Sequence, residues 1–405
     1  MKIRKYCRIC KGRIQVIIKF EKICLVGKFL KIKKQQKKYP LSLNFCRKCM
    51  HLQIAEVINP KKLFSNYLWE TKVSKTNLKI FQEISQTYKR ELSNQTKIFE
   101  IASNDGSFLE YLQKKFKTFN VGIDPASNLN KKIKNIFQIK GFFSFEKSKE
   151  IFKKFGKFDL IFARNVLAHV SNPNDIFLGI KKLLNQNGKA IIEVPHLLPI
   201  IKKLQYDNIF HEHQGFHSLK SIKDLCNKNN LFLTNVTKIK SQGGSIRCEV
   251  RKNNVNNKEL TRIRNFIKFE KKKNLFNLKY LKSYKHRVLN HKKEIKKMLK
   301  NLSSKNKKIS IYGASGKGQA LLQFCGIDYK IIDRVYDKSK LKNNRFTPGT
   351  NILINHPKKM KKEIIDYLFL SSWNLKEEIM KQEKKFIKSG GQFIIPFPKP
   401  RIIKK

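Results

Sequence analysis

Two groups of reactive side chains stand out in this 405-residue chain. The first is the pair "CRIC" (Cys7, Cys10) and "CRKC" (Cys46, Cys49). Each C-x-x-C forms a turn that aims two thiolates at one point, and two such knuckles supply the four sulfur ligands of a tetrahedral zinc site. With four protein ligands the site is closed, so it holds a fold and does no chemistry. A reducing compartment argues against disulfides between the same residues. Cys24, Cys226, Cys248 and Cys325 are isolated and read as core residues. The second group is "DNIFHEHQGFHSL", Asp207 to Leu219, with His211, Glu212, His213 and His217 in seven residues. It reads as a metal site, as an acid–base site or as an accident of composition. It lacks the H-E-x-x-H spacing of helical metalloprotease sites.

The elements that must position these groups follow from composition and pattern. A chain of this length is too long for one core. A hydrophobic content of 40% with 11% aromatics supports ordinary globular packing. No apolar run approaches the roughly 20 residues of a membrane span. The basic start "MKIRKYCRIC" lacks a signal-peptide apolar region, so the expected location is cytoplasmic. The formal net charge of +60 invites a nucleic-acid reading. That charge is mostly Lys, however, and the excess of Lys, Asn, Ile and Phe matches A/T-rich codons. Base-edge and bidentate phosphate recognition favours Arg, which is scarce here. Nucleic acid is therefore not the expected partner.

Between Lys97 and about Val250 short apolar strands alternate with amphipathic helices, which predicts a doubly wound α/β domain. "KIFEIASNDGSFLEYLQKKF" is strand, turn, helix; "FNVGIDPASN", "FDLIFARNVLAHV" and "GKAIIEVPHL" are further strands. Lys-rich helices follow, and a second α/β run starts at "KKISIYGASGKGQALLQF". The expected domains are zinc-binding (1–62), α/β (63–252), a helical linker (253–306) and a Rossmann-like domain (307–405).

"FEIASNDGSFL" sets Glu100, Ala102, Asn104 and Gly106 in a strand-to-helix turn, where small residues let a ligand approach and helix N–H groups point at it. With one of three expected glycines it is a poor dinucleotide fingerprint. It is similar instead to the E-x-x-x-x-x-G turn of class I S-adenosylmethionine (SAM) methyltransferases. Asp124, closing the next strand, stands where an acid would accept hydrogen bonds from both ribose hydroxyls.

Taken together, "EIASNDGSFL", "GIDPASN", "ARNVLAHV", "EVPH…DNIFHEH", "GGSIR", the double C-x-x-C and the C-terminal "YGASGKGQALL", "PGT" and "WN" resemble the sugar C-methyltransferases that act on nucleotide-linked keto-deoxysugars. The resemblance runs in order over nearly the whole chain. It implies a class I SAM methyltransferase domain between a small zinc-binding domain and a C-terminal Rossmann-like domain, with SAM and structural zinc as cofactors. It implies donor contacts from Ala102, Asn104, Gly106 and Asp124, with Phe143 beside the adenine and Asn165, Ala168 and His169 at the next strand end. His169 also reads as a packed helix-start residue.

The implied reaction removes a proton from a carbon next to a ketone, so that carbon can attack the sulfonium methyl. That requires a base and a group to steady the oxyanion. His213 resembles the family's base and Glu212 a helper; Tyr67 is a candidate sugar or enolate contact, with Trp69 the competing position. His211 reads as structural. Phe210 stands where the family commonly has an aromatic hydroxyl, and His217 where an aromatic residue is usual, which leaves the sugar's identity open.

For the substrate the resemblance implies Gly313, Ala314, Lys317 and Gly318 near a diphosphate, with Pro348, Gly349, Thr350, Trp373 and Asn374 close by. "GASGKG" lacks the P-loop spacing, so triphosphate hydrolysis is not expected. Arg247 either meets a phosphate or carboxylate or bridges to a neighbouring domain. A methyltransferase acting on RNA or protein through its Lys surface is the alternative. A non-catalytic relic is disfavoured by the intact turn, Asp124 and "HEH".

Overall fold

The structure, a computed structural model, describes residues 1–129, 132–253 and 256–403. Two compact units emerge. The first comprises Met1–Gln15, Asn44–Leu198 and Glu212–Asn277; the second comprises Val16–Leu43, Pro199–His211 and Leu278–Lys405.

The first unit is built on a seven-stranded sheet of β1 (Lys97–Ile101), β2 (Phe119–Asp124), β3 (Ile136–Lys140), β4 (Phe158–Arg164), β5 (Leu184–Pro195), β6 (Phe232–Ile239) and β7 (Ser245–Arg251). Its order is β6-β7-β5-β4-β1-β2-β3. β1 to β5 run parallel, while β7 pairs antiparallel with both β5 and β6. Strand order reverses between β1 and β4, where an open α/β sheet leaves a crevice at its carboxyl edge. Successive residues face opposite layers. Phe99, Ile161 and Ile192 join one core with Phe177 and Leu225, while Ile98, Phe162 and Ile191 join the other with Phe81, Phe108 and Leu112. Burial on both faces explains why these strands read as continuous apolar runs.

The helices that cover the sheet carry their own start signals. Ser74 Oγ accepts from Thr76 N–H before α1 (Lys75–Thr87), and Ser144 and Ser218 do the same for α3 (Phe145–Phe155) and α5 (Leu219–Lys228). α2 (Ser107–Phe116) follows Gly106, which has a φ of 72°. α4 (Pro173–Leu183) opens on proline. α6 (Asn257–Lys272) carries a full capping box from Asn256 and Glu259.

Both cysteine knuckles close alike, with the residue after the second cysteine left-handed: Lys11 at φ 62° and Met50 at φ 57°. Strands Ile14–Ile23 and Tyr39–Cys46 run between the knuckles. In the first unit Leu52–Ile54 pairs with Gly215–Phe216, next to the histidine cluster.

The second unit holds a six-stranded sheet of β8 (Ile309–Tyr312), β9 (Val335–Tyr336), β10 (Ile354–Asn355), β11 (Tyr367–Leu370), β12 (Gln392–Ile395) and β13 (Arg401–Ile403), in the order β10-β9-β8-β11-β12-β13. Only β13 is antiparallel. The Lys-rich stretch expected as a linker (253–306, with 254 and 255 outside the described residues) divides between the units. α6 belongs to the first, and α7 (Leu278–Ser304) to the second. α7 buries Leu281, Tyr284, Val288, His291, Ile295, Leu299 and Leu302, one face at three- and four-residue spacing, and its lysines line the rest. α8 (Gly316–Cys325) follows β8.

Candidate active site and zinc centre

The turn after β1 departs from ordinary backbone three times: Ala102, Asn104 and Gly106 have φ of 58°, 53° and 72°. Asp124, at the end of β2, stabilises it by accepting Asn104 N–H at 2.8 Å and Ala126 N–H at 2.8 Å. Burial pushes the Asp124 carboxyl above its ordinary value, against the two backbone donors. A side chain at Gly106 would overlap Gln138 Nε2 and Ile133, so the position must stay bare. Gln138 Nε2 and Asn165 Oδ1 are buried polar atoms without a protein partner among the described residues. Asn165 (φ 55°) ends β4 across the crevice. A bare cradle, a bidentate acid and unmatched polar atoms fit a polar nucleoside cofactor such as SAM.

Two further residues of the expected donor site have partners within the sheet and the core. Glu100 turns into the sheet, where its Oε1 accepts from Arg164 Nη2 at 2.6 Å and Nε at 3.1 Å. Burial raises its carboxyl to about 7, against the Arg164 charge. Arg164 in turn stacks 3.9 Å over Phe108. Phe143 packs its ring on Phe99 and over Gly179, inside the core. Its neighbour Phe142 is the exposed one.

Tyr67, Glu212, His213 and His169 converge near the cofactor turn. Burial first, then the Glu212 and Asp124 carboxylates, push the Tyr67 phenol far above its usual value, so it stays a hydrogen-bond donor. Asn128 clamps its backbone, accepting Tyr67 N–H at 2.9 Å and donating to its carbonyl at 2.8 Å. Asn104 secures the next residues: its Oδ1 accepts from Thr71 N–H and Oγ1, and its Nδ2 donates to the carbonyl of Trp69. The cofactor turn and the segment carrying Tyr67 are thus one hydrogen-bonded piece. Trp69 is engaged there through its backbone.

His169 donates from Nδ1 to the Glu212 carbonyl at 3.0 Å, which fixes the tautomer and leaves Nε2 as the acceptor. Burial lowers it to about 4, so it is neutral at physiological pH. Its ring meets that of His213 edge-on at 4.8 Å, and Ala168 is buried beside it. His213 itself is 9% exposed. His211 donates from Nε2 to Pro40 carbonyl at 2.9 Å, a structural bond in the second unit. His217 packs 4.7 Å from His51 and is lowered to about 3 by burial. Arg247 donates from Nε to Glu193 at 2.6 Å, so it bridges to a carboxylate of its own sheet.

In the second unit Lys317 is buried, which lowers it to about 8, while Asp207 opposes that fall. Asp207 accepts from Trp373 Nε1 at 2.7 Å. The structure therefore gathers Lys317 and Trp373 around the acid that opens the histidine stretch, a pairing that spacing along the sequence does not reveal. Phe210 lies buried against Gly316. Gly313 and Gly318 leave no room for a side chain against Ser372 and Ser371. Ala314 N–H donates to Asp337 at 2.6 Å. Gly349 and Thr350 sit apart in a turn: Gly349 N–H donates to Gln36, and Thr350 shares a hydroxyl bond with Thr347. Asn374 lies in a short 3-10 turn, half-buried.

The four knuckle sulfurs all lie within 4.8 Å of one another, with Cys7–Cys49 and Cys10–Cys46 at 3.4 Å. A zinc tetrahedron with Zn–S near 2.3 Å has S–S edges of about 3.8 Å, so the thiols fit the ion. Among the described residues no other His, Cys and acid group has metal-site geometry.

A cofactor crevice at the switch point of a doubly wound sheet, with a four-cysteine zinc module, defines a class I SAM-dependent methyltransferase. Family models match in succession a zinc-binding domain (residues 7–64), a methyltransferase domain (70–236) and a C-methyltransferase C-terminal domain (240–398). The chain is thus a SAM-dependent methyltransferase, and its flanking segments are similar to a zinc-binding domain and to a C-methyltransferase C-terminal domain. It is 28% identical over 369 residues to C-methyltransferase NovU of Streptomyces niveus, covering 90% of this chain and 88% of that one. Similar solved structures include SAM-dependent methyltransferases of Thermotoga maritima (15% identity, 46% of this chain, 100% of that one, TM-score 0.33) and Anabaena variabilis (10%, 42%, 82%, TM-score 0.34).

Proposed function

We propose that the enzyme methylates a carbon alpha to the ketone of a nucleotide-linked deoxysugar, for a surface polysaccharide or a glycosylated metabolite. The observation that carries this reading is the convergence of Tyr67, Glu212, His213 and His169 beside the acid that closes β2. SAM supplies a methyl group on a positively charged sulfur that leaves with the bonding electrons. His213 takes the proton from the substrate carbon, and the C–H electrons move onto the ketone oxygen as an enolate. Tyr67, protonated and held in place, donates to that oxyanion. Glu212 orients the sugar, and its carbonyl fixes the His169 tautomer. The enolate carbon then forms the new bond to the methyl group.

In the second unit Lys317 supplies a point charge for the diphosphate. Asp207 keeps it protonated and Trp373 orients Asp207. Similarity to the C-methyltransferase NovU favours this reading over methylation of RNA or protein. A cytoplasmic site of action is part of the proposal; no described helix is long and apolar enough to cross a membrane.

The deciding experiment incubates the purified protein and SAM with a panel of nucleotide-linked ketosugars. A substrate gaining one methyl group by mass, with stoichiometric S-adenosylhomocysteine, is expected. Turnover confined to RNA or protein acceptors would overturn the proposal.

Asn128→Ala is expected to release the Tyr67 backbone and lower turnover about tenfold, with SAM affinity little changed. Combined with Tyr67→Phe the two losses should fall short of multiplying, because both act through one phenol. Losses that multiply fully would show that Asn128 acts by another route.

A further inference from the structure

Arg8 stands inside the first knuckle, between Cys7 and Cys10, and only 1% of it is exposed. A buried guanidinium is costly unless its donors are met. Here each of its three nitrogens donates to a carbonyl, and the carbonyls come from three separate segments. Nε donates to Gln214 at 3.0 Å, Nη2 to Ile54 at 3.0 Å and Nη1 to Ser171 at 3.4 Å. Gln214 directly follows His213, Ser171 follows His169 by two residues, and Ile54 ends the strand beyond the second knuckle.

The surrounding backbone shares the same joint. Arg8 N–H donates to Gln53 Oε1 at 2.8 Å, and Arg8 carbonyl accepts from Asn174 Nδ2. Gln214 N–H donates to Ala168 carbonyl at 2.6 Å, and its own carbonyl accepts Ile54 N–H at 3.3 Å. The two loops that bear His213 and His169 are therefore joined to each other and to the knuckle at a single side chain. Only a planar fork with several fixed donors spans three carbonyls in this way; an ammonium on a flexible stem does not.

We propose that Arg8 is a positioning residue for the reaction: it locks the backbone beside His213 and His169 to the zinc knuckle and so sets the aim of the His213 ring. This inference rests on the reading of His213 as the base. It gives the closed metal site a bearing on catalysis without any contact between metal and substrate.

The test uses the full zinc-loaded chain with Arg8→Lys and Arg8→Gln, and with His213→Ala alongside. Hydrogen exchange needs no substrate and is read on peptides covering 168–172 and 211–218. Both Arg8 variants are expected to exchange faster there while retaining zinc and a SAM Kd within about twofold of wild type. With the ketosugar nucleotide, kcat should fall about tenfold or more with a smaller change in KM, and the pH profile should shift on its acid limb, as for a misaimed base. Merely looser packing would leave that pH limb in place. If Arg8→Gln fails to fold, Arg8→Lys, which keeps the charge and the stem, carries the test. Should His213→Ala turn over normally, the base assignment falls and this role with it. Should that variant be inactive while Arg8→Lys keeps wild-type kcat and exchange, only the role of Arg8 is overturned.

Discussion

His213→Ala is expected to lower kcat by a factor of about 10² to 10⁴ while SAM binds as in wild type, because a positioned general base contributes on that scale. The separation of the two effects follows from the site's construction. The Gly106 turn, the Asp124 carboxylate and Asn165 close or follow β1, β2 and β4, and Gln138 lies within β3, so all belong to the sheet and not to the loop that carries His213. His213 instead belongs to the loop held by His169 and Gln214. Its removal takes away the edge-on contact with the His169 ring, in a loop and not in a strand of the sheet. Calorimetry with SAM and single-turnover methylation would be measured on the same preparation. Donor affinity within about twofold and a collapsed chemical step are the expected pair. Normal single-turnover rates would show that another group removes the proton. His169, neutral and with Nε2 as its acceptor, would then be the first candidate.

The parts of this molecule that could be read from its sequence are those governed by local rules. β1, β2, β4 and β5 are apolar runs because a parallel sheet is buried on both faces, and the runs predicted from "KIFEI", "NVGID", "FDLIFAR" and "AIIEVP" are strands. β3 gave no such signal, since it is a short edge strand in which only Ile136 is buried. The four zinc ligands were legible because knuckle spacing is itself the geometry.

Side-chain direction was not legible. Phe142 and Phe143 are adjacent on the chain, and the fold alone decides which enters the core. Glu100 fits a motif position, yet Arg164, 64 residues on, claims its carboxylate inside the sheet. Asn128, Asp207 and Arg8 were missed for one reason. Each acts through partners far away in sequence: Asn128 on Tyr67, Asp207 with Lys317 and Trp373, and Arg8 on Gln214. A single sequence carries no mark of such pairings, whereas a lone buried polar residue in a structure asks at once for its partner.

The largest expected effect on stability comes from the metal. Cys49→Ser, or removal of zinc by a strong chelator, leaves the remaining knuckle thiols, set within 4.8 Å of one another, with nothing to hold them together. Structural zinc contributes on the order of 10 kcal/mol of apparent folding free energy in small zinc modules, more than the net stability of most domains. Loss of zinc is therefore expected to unfold this region. The seven-stranded sheet, with its two separate cores, should keep its own transition in thermal melting.

Turnover should fall with the knuckle, because Leu52–Gln53 pairs with Gly215–Phe216 directly after the "HEH" residues and Arg8 grips Gln214. The measurements are zinc content, melting by calorimetry and methyl transfer on one sample, before and after metal removal. Restored zinc should restore all three together. A metal-free enzyme that melts and turns over as the loaded one does would show that the cysteines are bystanders to both fold and reaction. Retained turnover beside a lost melting transition would show instead that the histidine loop keeps its shape without the knuckle, and the mount at Arg8 would then have to be abandoned.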